Sequence, residues 1–201
     1  MGSLPPLSFA VSNGECLAIE GPSGSGKTRI LRAIADLDPV EGHVFLDGTE
    51  RREMAPQLWR RAVRYAAAEP GWWTDTPRDT LPISQATLPR IDRLISALGL
   101  AEDILDRPVS LLSTGERQRI ALVRALADDP KVLLLDEPTA ALDKSASALV
   151  EEMVRFQLLA GHCVLIASHD AGLIGRLAHV RLQLAPSDRT TKSKPDRTPP
   201  P

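Results

Sequence analysis

The sequence predicts an α/β protein built on a mostly parallel sheet, and three observations carry that prediction. Short continuous apolar runs recur along the chain, as strands buried on both faces require: Cys16-Leu17-Ala18-Ile19, Val132 to Leu135, Cys163 to Ala167 and Val180 to Leu184. Helical patterns separate the later runs, at Ser113 to Ala127, Ser145 to Leu159 and Ala171 to Leu177. A glycine-rich turn, Gly21 to Thr28, joins the first run to a stretch in which Ile30, Leu31, Ile34 and Leu37 recur at helical spacing. Alternation of this kind favours parallel strands that present ligands at their C-terminal ends.

Further strands are predicted at Leu7 to Val11, His43 to Leu46 and Val63 to Ala66. Between Trp72 and Leu112 the texture changes. Prolines at 77, 82, 89 and 108 break the segment, while Ile91, Leu94, Ile95, Leu98 and Leu100 predict at least one helix and no strand. A small helical lobe, about residues 72–125, is therefore expected as an insertion in a single domain covering residues 1–185. From Pro186 onward the chain reads PSDRTTKSKPDRTPPP, with five of its 17 prolines, no large apolar residue, and four basic against two acidic side chains. That composition predicts a disordered tail.

A chain of 201 residues is long enough for one sizeable core. Its 24 basic and 26 acidic residues give a net charge of -2, so no global basic field is available to hold nucleic acid or an anionic membrane. Cys16 and Cys163 lie in apolar runs without metal-ligand spacing, which suits buried free thiols in a reducing compartment. The start, MGSLPPLSF, has no basic region ahead of a long apolar stretch, and no window approaches the ~18 apolar residues that span a bilayer. The expectation is a cytoplasmic protein, held at a membrane only through a partner.

The turn reads GPSGSGKT and fills the pattern G-x-x-x-x-G-K-[ST] at every fixed position. Gly21, Pro22, Ser23, Gly24, Ser25 and Gly26 form a loop tight enough for its N–H groups to aim at phosphate oxygens. Lys27 reaches the β and γ phosphates, and Thr28 offers a hydroxyl to Mg²⁺. The helix that follows adds the positive end of its dipole. The run Val132 to Leu135 then delivers Asp136 and Glu137 to a strand end. Asp136 is placed to support Mg²⁺ through its water shell and Glu137 to polarise an attacking water, because phosphoryl transfer demands positioning and charge neutralisation above all. Ser168-His169-Asp170 follows another buried strand, on the edge where the phosphates should lie. Each feature alone has a blander account: a structural turn, a pair of capping acids, a surface histidine. Together they describe one NTPase site.

The segment Leu112-Ser113-Thr114-Gly115-Glu116-Arg117-Gln118-Arg119 opens a helix that continues IALVRALADDP. With it, residues 7 to 184 resemble the ATP-binding subunit of an ABC transporter, whose signature reads LSGGQ or LSGGE before a basic-Q-R helix. The motif order agrees: Walker A at Gly21 to Thr28, Walker B at Val132 to Glu137, the D-loop at Ala141-Leu142-Asp143 and the switch histidine at His169. The resemblance implies a P-loop NTPase fold with a mostly parallel sheet core, a small antiparallel β part and an inserted helical lobe. It implies ATP and Mg²⁺ as cofactors, with Gly21 to Thr28 cradling ATP, Thr28 and Asp136 on the metal, and Glu137 and His169 as catalytic residues. It also implies a head-to-tail dimer, with itself or a homologous subunit, that sandwiches ATP. In that dimer Ser113 and the Gly115 amide reach the γ phosphate bound by the other subunit. A separate integral membrane permease is the implied partner, nucleic acid is not, and the protein would sit on the cytoplasmic face of the inner membrane through that permease.

Three departures from the family pattern stand out. In Tyr65-Ala66-Ala67-Ala68-Glu69-Pro70, Ala68 occupies the place of a glutamine that contacts Mg²⁺ and water, so weaker hydrolysis is expected. Thr114 replaces the first signature glycine, and a β-branched residue there would be strained if the backbone took a positive φ. Phe9 falls within the first predicted strand and is expected to pack in the core, leaving no upstream aromatic to stack on adenine. Two alternatives follow. One is a degenerate module that binds ATP and hydrolyses little, favoured by Ala68 and opposed by the intact Lys27, Asp136, Glu137 and His169. The other is a soluble ABC ATPase without a transport role. A P-loop kinase would leave the signature helix and His169 unexplained.

Overall fold

Among the described residues, five strands form the central sheet: β1 (Cys16–Glu20), β4 (Val63–Ala66), β5 (Val132–Asp136), β6 (Cys163–Ala167) and β7 (Val180–Gln183). All pair in parallel, in the order β4-β5-β6-β1-β7. The computed structural model describes residues 6–39 and 41–185. The tail expected from Pro186 onward lies outside the described residues.

Alternation along each strand sends side chains to opposite faces and so creates two cores. On one face Cys16, Ala18, Leu133, Leu135, Val164 and Ile166 are buried beneath α3 (Leu88–Ala97), α4 (Thr114–Leu126), α5 (Lys144–Leu159) and α6 (Ala171–Leu177). On the other, Leu17, Ile19, Leu134 and Leu165 meet Ile30 and Leu31 of α1 (Lys27–Ile34) and Trp59 of α2 (Pro56–Ala62). The buried Trp59 ring donates its Nε1–H to the Ile34 carbonyl at 2.9 Å, so its one polar atom is satisfied where it enters the core.

A two-stranded antiparallel hairpin stands apart from this sheet, pairing β2 (Phe45–Leu46) with β3 (Thr49–Glu50). Asp47 and Gly48 form its turn with φ of 51° and 80°, the left-handed pair that a two-residue hairpin demands. The strand predicted at His43 to Leu46 is thus shorter than its apolar pattern. Between β4 and β5, adjacent in the sheet, the chain forms α3, α4 and 3₁₀ turns at Pro77–Thr80, Ile104–Asp106 and Val109–Leu111, with no strand.

One predicted strand does not form. Residues 6–12 carry no regular structure, and Phe9, expected in the core, is 38% exposed. An alternating stretch becomes a strand only beside a partner, and among the described residues this one pairs with no strand of either sheet. Helix α2 was not predicted, although Pro56 stands at its first turn, a favoured place for proline. Cys16 and Cys163 are free and buried, and burial pushes their thiols up to about 12 and about 11, away from the reactive thiolate. Among the described residues no helix is long and apolar enough to cross a membrane.

The register decides where the site forms. Asp136 lies beside Ala167, and Ile19 beside the same Ala167. The loops leaving β1, β5 and β6 therefore start side by side on one edge.

Candidate nucleotide-binding site

The loop after β1 is shaped by three left-handed glycines, Gly21, Gly24 and Gly26, with φ of 149°, 79° and 103°. A Cβ on Gly21 would lie 2.9 Å from the Leu184 carbonyl oxygen and 2.9 Å from the Ser25 hydroxyl, so no side chain fits there. Gly26 is the N-cap of α1 and offers no side-chain cap, which leaves the first-turn N–H groups pointing outward with the helix dipole behind them. Pro22 shapes the turn by accepting the Ser25 N–H at 3.1 Å, and Ser23 is exposed at its tip. Ser25 is 5% exposed, and its hydroxyl has no partner among the described residues. A buried orphan hydroxyl inside a ring of amide donors suits a phosphate.

Lys27 is 7% exposed and folds back over this loop. Its ammonium donates to the carbonyl oxygens of Gly21 at 2.8 Å and Pro22 at 3.2 Å, and lies 3.4 Å from His169 Nε2. The cation is thus held over the loop mouth by carbonyl oxygens rather than by a carboxylate. Thr28, one residue on, donates its hydroxyl to Asp136 Oδ2 at 2.7 Å.

Asp136 ends β5 at 4% exposure, and a second hydroxyl meets the same Oδ2, that of Tyr65 from the neighbouring β4, at 2.9 Å. Burial, with the Asp136 charge beside it, pushes the Tyr65 phenol well above its ordinary range, so it remains a protonated donor. Thr28 and Asp136 offer hard oxygen ligands of the kind Mg²⁺ takes. Among the described residues no group of three His, Cys, Asp or Glu is placed to hold a metal alone.

Glu137 takes a left-handed conformation, φ 46°, unusual for a residue with a side chain. Bonds at both ends of the residue hold it. Its N–H donates to the Ala167 carbonyl at 2.8 Å, and its carbonyl accepts Gln118 Nε2–H from α4 at 2.7 Å. Its carboxylate accepts the His169 N–H at 3.2 Å and the Ser168 hydroxyl at 3.3 Å, with His169 Nε2 3.5 Å from the second oxygen. A cleft of about 660 Å³ opens beside Glu137, Ser168 and His169.

The signature segment is satisfied differently. Ser113 caps α4: its Oγ accepts the Glu116 N–H at 3.2 Å, while its own N–H and hydroxyl donate to Glu116 Oε2 at 2.9 and 2.8 Å. This reciprocal capping box holds the Glu116 carboxyl below its usual range, through the Ser113 N–H first and the hydroxyl second. Gly115 lies against the loop after β5, where an added Cβ would come within 3.2 Å of Leu142 Cδ2. No hydrogen bond of Ser113 or Gly115 reaches Lys27, Thr28, Asp136 or Glu137 among the described residues. Thr114 is the first residue of α4 and is not among the positive-φ residues, so the strain anticipated there does not arise: a helical first turn suits a β-branched residue. Ala68 follows β4 and is partly buried.

Lys27, Thr28, Asp136, Glu137 and His169 are therefore brought together, and Ser113 and Gly115 are not. Sequence reasoning missed Tyr65 and Gln118. Tyr65 is the polar ring in an apolar strand, and its register beside β5 aims it at Asp136; Gln118 is a 3% exposed polar residue inside a helix.

Comparison with known proteins agrees with this geometry. Residues 4–140 match the family described as ABC transporter. Protein STAR1 of Oryza sativa subsp. japonica is 37% identical over 84% of this chain, which spans 51% of that protein's length. The phosphate import ATP-binding protein PstB 2 of Natronomonas pharaonis is 36% identical over 87% of this chain and 69% of its own length. Among solved structures, a dimeric ATP-binding cassette in a post-hydrolysis state, bound to ADP and Pi, superposes with a TM-score of 0.77 at 26% identity, covering 88% of this chain and 83% of that one. The family match and these relatives together place the chain: it belongs to the ABC transporter family, as a nucleotide-binding domain.

Proposed function

We propose that this chain hydrolyses ATP and powers an ABC transporter whose permease is a separate integral membrane protein. The observation that supports this most is the convergence of Lys27, Thr28, Asp136, Glu137 and His169 at one sheet edge, beside the glycine-rich loop Gly21 to Gly26. In this reading the loop Gly21 to Gly26 and the first turn of α1 bind the phosphates, and Lys27 exchanges its two carbonyl acceptors for phosphate oxygens. Thr28 and Asp136 would hold Mg²⁺, which would supply charge neutralisation when bound. Glu137, kept in place by Ser168 and the His169 N–H, orients the attacking water and takes its proton. His169 stands between Lys27 and Glu137, where it donates to the γ phosphate.

Ser113 and the Gly115 amide serve the ATP of a second copy or a homologous subunit, which makes ATP the bond of the dimer and hydrolysis its release. Residues 1–185 act as one ATPase domain, with the helices of about 72–125 as an inserted lobe. The chain works on the cytoplasmic face of the inner membrane, attached through its permease.

The test is Mg-ATP hydrolysis by the purified protein beside its Glu137→Gln variant. Turnover is expected in wild type, with a loss of about 10²- to 10⁴-fold in the variant, which keeps its ATP and accumulates as a dimer in size-exclusion chromatography. A variant as active as wild type would remove Glu137 from the base role. Ala68 favours a second reading, an ATP-binding module with little hydrolysis of its own. Bound ATP without turnover in either protein selects it.

A further inference from the structure

We infer that Tyr65 is a positioning residue for the cation side of the site, acting through Asp136. The inference rests on the reading of Thr28 and Asp136 given above. It starts from an asymmetry in how Asp136 is held. Thr28 Oγ1 and Tyr65 Oη both donate to Oδ2, at 2.7 and 2.9 Å, and so approach one oxygen from α1 and from β4. Two donors on one oxygen fix the plane of the carboxylate, where a single donor leaves rotation about the Cβ–Cγ bond.

That plane matters to Thr28 as well. A hydroxyl has one proton and two lone pairs. While its proton is spent on Asp136 Oδ2, its lone pairs are left to face the mouth of the phosphate loop, which is the orientation a hard cation requires. Tyr65 holds the acceptor still and thereby holds the Thr28 hydroxyl in its productive rotamer. The tyrosine acts through Asp136, since its hydroxyl donates to that residue and its ring is packed with the core that contains Leu134 and Trp59. It also supplies a second hydrogen bond to an ionised group at 4% exposure, where each donor counts more than it would in water.

The experiment titrates Mg²⁺ into the full-length protein with a fluorescent N-methylanthraniloyl ATP analogue, following binding and not turnover. Tyr65→Phe keeps the ring and its packing and removes one hydroxyl. Its Mg²⁺-free affinity for the analogue should equal that of wild type, while the Mg²⁺ concentration for half-maximal effect rises about tenfold, the weight of one hydrogen bond to a charged group. In an Asp136→Asn background the same substitution should leave the Mg²⁺ midpoint unmoved, because the two act as a unit.

Loss of Mg²⁺-free affinity in Tyr65→Phe would show a general structural role and overturn the inference. So would additive effects in the double variant, or an unchanged midpoint in the single one. If wild type itself shows no Mg²⁺ dependence, the reading of Thr28 and Asp136 fails first and takes this inference with it; a Mg²⁺-dependent wild type with an unmoved Tyr65→Phe overturns the role of Tyr65 alone.

Discussion

The polar groups around Lys27 and those around Ser113 are satisfied in different ways. Around Lys27, five separate elements bond to one another: the loop before α1, α1 itself, the ends of β4 and β5, and the turn after β6. Around Ser113, the bonds close within one helical turn, between Ser113 and Glu116. The first arrangement is assembled before any ligand arrives, so binding there loses little to ordering. The second is complete as a helix cap and incomplete as a ligand site. For Ser113 to donate to a phosphate, its hydroxyl must leave Glu116 Oε2, and that carboxylate stands where an anion would be repelled. The contrast suits a protein whose one half binds nucleotide alone and whose other half acts only when a second subunit presents a phosphate.

The sharpest way to break this contrast is Lys27→Ala. It removes the cation at the loop mouth together with its bonds to Gly21 and Pro22, and affinity for ATP should fall about 10- to 100-fold even at concentrations where the protein is monomeric. Equilibrium binding of the fluorescent analogue measures it. Retained affinity would mean that the loop amides carry binding and that the Lys27 region is not the assembled half.

Ser113→Ala probes the other half and should give a smaller, differently distributed effect. Loss of the N-cap costs about 1 kcal/mol of stability, a fall in Tm of about 2–4 °C for a chain of this size. Monomer affinity for ATP should stay as in wild type. Added to Glu137→Gln, however, the substitution should abolish the ATP-trapped dimer. Weaker ATP binding by the monomeric Ser113→Ala protein would join the two regions that the structure keeps apart.

The same division marks what was legible in the sequence. Lys27, Thr28, Asp136, Glu137 and His169 follow apolar runs that become neighbouring strands, so reading the strands placed these residues on one edge. Tyr65 was hidden because its role depends on the lateral order of β4 and β5, whose contact joins residues 71 positions apart. Gln118 was hidden because a glutamine within a helical pattern gives no sign of the carbonyl it reaches in another element. The segment Leu7 to Val11 misled for the opposite reason: its alternation suggested a strand, but it lies beside no strand of either sheet among the described residues. Helix α2 went unread because seven residues with one deeply buried side chain, Trp59, give no period to follow. Local spacing reports what a segment can be, and the sheet order decides what it meets.

The smallest of these effects concerns Glu116. Its folded carboxyl is held below the usual range by Ser113, so the capping contribution is complete above the ordinary glutamate value of about 4.3 and is lost as pH falls through the lower folded value. Solvent screening limits this to about 0.5 kcal/mol. Urea melts of wild type and Glu116→Gln should therefore differ slightly at pH 7 and converge near pH 3, and Ser113→Ala, which keeps the backbone N–H on Glu116 and removes only the hydroxyl, should narrow the difference at pH 7 without abolishing it. The same substitution should move dimerisation the other way. If Ser113 meets a phosphate in trans as proposed, Glu116→Gln removes a negative charge from that place, so in the Glu137→Gln background the ATP-trapped dimer should form at lower protein concentration even though the monomer is slightly less stable. Stability and association changing with opposite sign would show that Glu116 maintains the cap at the expense of the contact in trans; if both fell together, the capping box would be part of the docking surface and the contrast between the two regions would have to be redrawn.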